Sequence, residues 1–164
     1  MSRLGMLYAL TDEEVTALKN TPEDDRYDYA LSHYETPYLY TPRAYEFHQA
    51  WEGLHYVFTG GEWIEDDLVP YNIVFGGRDY LLETDEAVLL LKPHDSLEAI
   101  ITHLRGLDLK TLIKETVPKL SEEALDMPLD EDFMAYLYNW GHELLDFYQF
   151  AFDNNYHVLL VVQL

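Results

Sequence analysis

Apolar positions recur along this chain with two spacings, one suited to buried strands and one to helices that turn a single face inward. Residues 3–10 (RLGMLYAL) form a short apolar run closed by a helix signal and predict a buried strand. Thr11 stands three residues before Glu14 with acids between them, the spacing of a capping box, so a short helix over residues 12–19 follows and Pro22 ends it. Residues 43–60 (RAYEFHQAWEGLHYVFTG) predict one helix around which the rest is organised. Thr41 caps it, Pro42 takes the first position, where a missing N–H is harmless, and Gly60 closes it in the left-handed conformation. At about 100° per residue, Phe47, Trp51, Leu54 and Phe58 fall on one stripe facing the core.

The later pattern completes the architecture. Residues 68–75 form a short apolar segment broken by Pro70, and Gly76–Gly77 mark a tight backbone passage, since neither phosphate-loop nor dinucleotide spacing surrounds them. Residues 86–91 (EAVLLL) predict a second buried strand. A helix begins at 93–96, carries Leu97, Ile100, Ile101 and Leu104 on one face and stops at Gly106; another covers 109–117. Asp130 caps the longest predicted helix, 131–152, with Phe133, Leu137, Trp140, Leu144, Tyr148 and Ala151 on its core face. Tyr138, Leu145 and Phe150 lie elsewhere around it, so this helix is either covered on two sides or offers aromatics to a partner, a homodimer included. Residues 156–164 (YHVLLVVQL) predict a closing strand central in its sheet. Strands near the start, middle and end with helices between them give an α+β fold: one domain over 1–164, its small sheet of mostly buried strands covered by several helices.

Composition narrows the function classes. Ten Lys and Arg against 31 Asp and Glu give a net charge of −21, a field that repels nucleic acid and anionic membrane and speeds encounter with a basic partner. No Lys or Arg follows Lys119, whereas Asp130, Glu131 and Asp132 do, and the same acids also serve simply to solvate the surface. Hydrophobic residues make up 48% of the chain, too many for disorder despite the charge. Without cysteine, disulfides and thiolate metal sites are excluded. No stretch approaches the roughly 18 apolar residues of a membrane span, and the N-terminal run lacks a cleavage signal, so a cytoplasmic, soluble protein is expected. Residues 23–42 have no sustained period but hold Tyr27, Tyr29, Tyr34, Tyr38 and Tyr40. These rings either form a surface for a partner or pack on the core with hydroxyls at its edge.

Chemistry concentrates on one flank of the 43–60 segment. His48, Glu52 and His55 stand at i, i+4 and i+7 and share a helical face, a set that suits zinc or iron, although the spacing is not His-Glu-x-x-His. The same flank suggests acid/base hydrolysis, with Glu52 or Asp146 as base and His55 or His142 as partner. The alternative is that His55 hydrogen-bonds a buried neighbour and anchors the helix. There is no serine elbow or cysteine nucleophile, and no cofactor is implied.

The pattern Trp51-x-x-Leu54-His55-x-x-x-Thr59-Gly60, the later Gly76–Gly77, the strand and Pro-started helix over 88–100 and the aromatic helix before a VLLVV strand resemble the YfbM-like family. The resemblance covers nearly the whole chain and implies an α+β bacterial cytoplasmic protein of unknown function, with no catalytic residue to carry across. Family members often have an Asp-Lys pair before the tryptophan and a His after it, where this chain has His48, Gln49 and Glu52. The expectation is an acidic binding or regulatory protein, of the immunity or inhibitor type, for a basic partner. Its contacts would come from Trp51, His55, Tyr34, Tyr38, Asp130, Glu131 and Asp132, and the alternative is a hydrolase using His48, Glu52 and His55.

Overall fold

A computed structural model describes residues 4–164 and contains one antiparallel sheet in the order β2-β1-β5-β4-β3. Its strands are β1 (Gly5–Leu10), β2 (Ala44–His48), β3 (Asp79–Glu83), β4 (Ala87–Lys92) and β5 (His157–Gln163). Arg3, included in the predicted first strand, lies outside the described residues. Successive side chains of a strand point to opposite faces. Leu7 and Ala9, Val88 and Leu90, and Val158, Leu160 and Val162 therefore enter one core, while Tyr8 and Leu10, Leu89 and Leu91, and Leu159 and Val161 enter a second. Two buried faces explain why β4 and β5 read as continuous apolar runs, and β5 lies at the middle of the sheet as its sequence predicts.

The second core is covered by α1 (Asp12–Asn20), α2 (Arg26–Ala30), a π-helical turn at Leu31–Glu35 and α3 (Thr36–Tyr38). The predicted capping box starts α1: the Glu14 N–H donates to Thr11 Oγ1 at 3.1 Å and the Thr11 N–H to Glu14 Oε1 at 2.9 Å. Residues 23–42 lack a sustained period because they pass through 3-10, α and π turns in succession, each with its own repeat.

On the other face lie α4 (Trp51–Phe58), α5 (Leu97–Arg105), α6 (Leu109–Thr116), α7 (Glu122–Leu125), α8 (Glu131–Gly141) and α9 (Leu144–Asp153). Gly106 follows α5 and Asp130 caps α8, both as predicted, with Asp130 Oδ1 accepting the Phe133 N–H at 2.9 Å. Gly77 is a tight passage: a Cβ there would stand 2.5 Å from the Leu91 carbonyl oxygen.

Two predicted helices are corrected. Residues 43–60 do not form one helix, because 44–48 pair with β1 as an edge strand, His48 takes a left-handed φ of 55° and α4 begins only at Trp51. Thr41 caps no helix; its hydroxyl instead donates to the Tyr38 carbonyl in the preceding turn. Without β2, one side of β1 would be an open edge, so pairing across the sheet overrides the local helical spacing. Nor is 131–152 continuous. The Tyr45 hydroxyl donates to the Trp140 carbonyl at 2.6 Å, engaging the acceptor that a continuing helix would offer to Leu144, and Gly141, a weak helix former, ends α8 beside it. Strand β3 has no counterpart among the predicted strands, because an edge strand with exposed Tyr80 and Glu83 carries only a weak apolar signal.

Candidate functional site

The break between β2 and α4 disperses the predicted chemical flank. His55 is fully buried on α4; its Nε2–H donates to the Ile64 carbonyl at 2.8 Å and its Nδ1 accepts the Phe75 N–H at 3.2 Å. Burial, with the Lys92 charge adding to it, pulls the imidazole down to about 4, so it is neutral and both nitrogens are engaged. His48 ends β2, its Nδ1 2.6 Å from the Tyr136 hydroxyl and its ring stacked on Trp140. Glu52 is half-buried in the first turn of α4. The shared face at i, i+4 and i+7 required one continuous helix. Among the described residues no group of three or more His, Asp or Glu is placed to hold a metal.

The other predicted contacts divide between core and surface. Trp51 is a core residue, stacked on Phe75 and packed so closely over Gly5 that a Cβ there would sit 2.8 Å from its ring. Tyr34 is buried and its hydroxyl donates to the Glu14 carbonyl. Tyr38 donates to the Glu14 carboxylate, and Arg43 pairs with that carboxylate while lying 3.9 Å from the Tyr38 ring centroid. Burial pushes the Glu14 carboxyl up, but hydrogen bonds from Thr11, Tyr38 and Arg43 outweigh it and hold the group below its ordinary range. Asp130, Glu131 and Asp132 are exposed at the start of α8.

Two features escape sequence reasoning. Lys92 is fully buried at the end of β4, and its ammonium donates to the carbonyls of Val74 at 2.8 Å and Gly76 at 2.5 Å. Burial pulls it down to about 7 against the opposing charge of Asp67. It pins the 64–78 loop onto the sheet, and its one sequence signal is a lysine ending an otherwise apolar strand.

The second is a groove of about 370 Å³ where the helical cover over the second core ends. Its strand side is set by register: Glu46 of β2, Met6 of β1 and Val161 of β5 are paired across the sheet. Its helical side comes from Tyr27, Leu31 and Glu35, with Tyr40 added by the turn after α3. Tyr8 lines the floor, only 1% exposed, with a hydroxyl that has no hydrogen-bond partner among the described residues. Burial raises that phenol's pKa, with Glu35, Tyr27 and Glu46 adding to the effect. Among the described residues neither Glu35 nor Glu46 is in an ion pair. Tyr40 stands 93% exposed at a left-handed φ of 65°. Single-sequence reasoning could have flagged Tyr8 only as one polar tip in an apolar strand.

Comparison with known proteins agrees with this architecture. The family model for a domain of unknown function, DUF1877, matches residues 1–161. The fold is similar to that of YfbM from Escherichia coli, a protein of unknown function, with a TM-score of 0.70 and 21% identity over 97% of this chain and 99% of that one. No curated protein matches the sequence. Among the described residues, no helix is long and apolar enough to cross a membrane.

Proposed function

Because the chain belongs to the DUF1877 family, a domain of unknown function, we propose from its own chemistry that it is an acidic cytoplasmic binding or regulatory protein that occludes a basic protein partner. The observation that carries this reading is the net charge of −21. A field of that size draws a basic surface into encounter, and carboxylates such as Glu131 and Asp132, exposed and outside any ion pair among the described residues, are available to it. Aromatic contacts such as Tyr40 then supply short-range affinity. Hydrolysis by His48, Glu52 and His55 gains no support from a neutral His55 whose nitrogens are both hydrogen-bonded.

The test is capture from lysate of the native host, followed by association kinetics with the purified basic protein. The rate is expected to fall at least about tenfold between low and high salt. It should also fall on substituting Asp130→Asn, Glu131→Gln and Asp132→Asn together, a set that keeps a capping side chain at position 130. A rate indifferent to both changes would refute electrostatic steering through that cluster.

A further inference from the structure

The geometry points to the groove bounded by Tyr8, Tyr27, Glu35, Tyr40 and Glu46 as a receptor for one arginine side chain of a basic protein partner. Its polar groups define the ligand. Ionised carboxylates only accept hydrogen bonds, and Glu35 and Glu46 come from opposite sides of the groove with no cation between them among the described residues. The Tyr8 hydroxyl at the floor is buried without a partner among the described residues, whereas buried polar atoms are ordinarily paired. A ligand that completes this site therefore brings several N–H donors and positive charge.

Guanidinium fits better than ammonium. It is planar, presents donors along more than one edge, is more weakly hydrated than an ammonium and stacks on tyrosine rings, here those of Tyr27 and Tyr40. Met6 and Val161 offer apolar surface for the aliphatic stem of the side chain. A volume of about 370 Å³ lies near the lower end of ligand pockets and suits one side chain. Two local departures from regular backbone shape the helical side: the π turn at Leu31–Glu35 and Tyr40 at positive φ. Such departures cluster at binding sites.

This assignment rests on the basic-partner reading for the protein source of the ligand, while the groove itself is tested without any partner. Full-length protein is titrated with N-acetyl-arginine methylamide, with its neutral isostere N-acetyl-citrulline methylamide, and with agmatine, binding being read from NMR shifts of the tyrosine rings. The arginine probe is expected to shift Tyr8, Tyr27 and Tyr40, and the citrulline probe to leave them unmoved. Glu35→Gln with Glu46→Gln should weaken arginine binding about tenfold or more, and Tyr8→Phe about threefold, in proteins whose unfolding remains cooperative. If Tyr8→Phe fails to fold, the glutamine pair decides. The assignment is overturned if the arginine probe does not bind, if citrulline binds equally well, or if the glutamine pair has no effect. Binding of agmatine without binding of the blocked arginine overturns the protein side chain as occupant. A failed capture from lysate beside positive arginine titrations would count against the partner reading and leave the guanidinium site standing.

Discussion

The Nδ1 of His55 accepts the backbone N–H of Phe75 at 3.2 Å, which ties α4 to the 64–78 loop. Only the neutral ring can make this bond, since a proton on Nδ1 would set one N–H against another. The ring titrates near 4 in the folded protein against an ordinary 6.5, so between those values the unfolded chain binds the extra proton. Stability from this group is complete above about pH 6.5 and declines as pH falls toward 4, by about 3 kcal/mol at the acid limit. Urea midpoints measured from pH 7.5 to 4 for the native protein and for His55→Gln should converge toward acid. Parallel curves would refute the account.

Lys92 predicts a change in the alkaline direction. Its folded value near 7 lies below the ordinary 10.5, so over that interval the unfolded chain holds a proton that the folded one has released. Stability should rise with pH from about 7 to 9.5. Above about 10 the trend reverses, because buried phenols such as Tyr8, Tyr45 and Tyr148 resist the ionisation available to them on unfolding. Lys92→Met should abolish the rise and, by leaving the Val74 and Gly76 carbonyls without their donor, lower stability at pH 9.5 by about 1–3 kcal/mol. An unchanged slope in the variant would assign the pH dependence to other groups.

How far the sequence reveals this fold depends on the range of the interaction that decides each element. The capping box of Thr11 and Glu14 and the Asp130 cap act over three residues, and both are legible. Strand β5 is legible because burial on two faces leaves a continuous apolar run. The spacing of Phe47, Trp51, Leu54 and Phe58 is compatible with one helix, and only the pairing of β2 with the distant β1 shows that Phe47 belongs to a strand. The Tyr45–Trp140 hydrogen bond, which marks the end of α8, is remote in sequence for the same reason. Tyr8, Glu35 and Glu46 come from two strands and a π turn, so no local pattern assembles the groove.

Close contact between α4 and α8 makes Gly53 sensitive to one added methyl. A Cβ there would lie 2.7 Å from Leu137 Cδ2 and 3.0 Å from Phe133 Cζ, both side chains being buried. Alanine favours the helix by about 1 kcal/mol over glycine, while overpacking costs about 1–3 kcal/mol. Gly53→Ala should therefore lower stability by about 1 kcal/mol in chemical denaturation. A gain instead would show that Leu137 re-seats without strain.

Tyr40 poses the opposite case, a residue whose backbone and side chain both lack local support. Its φ of 65° is unfavourable for a bulky residue, and at 93% exposure its ring contributes little packing to offset that strain. Asparagine tolerates the left-handed region without the extra unfolded-state freedom of glycine. Tyr40→Asn should stabilise the fold by about 0.5–1 kcal/mol, a rise of roughly 1–4 °C in Tm for a chain of this size. The same change should weaken binding of the arginine probe about threefold, since one stacking wall of the groove is lost. Opposite movement of Tm and affinity would mean that the strain at Tyr40 is kept for recognition. A fall in Tm would instead make its ring a structural contact, and unchanged affinity would remove Tyr40 from the site.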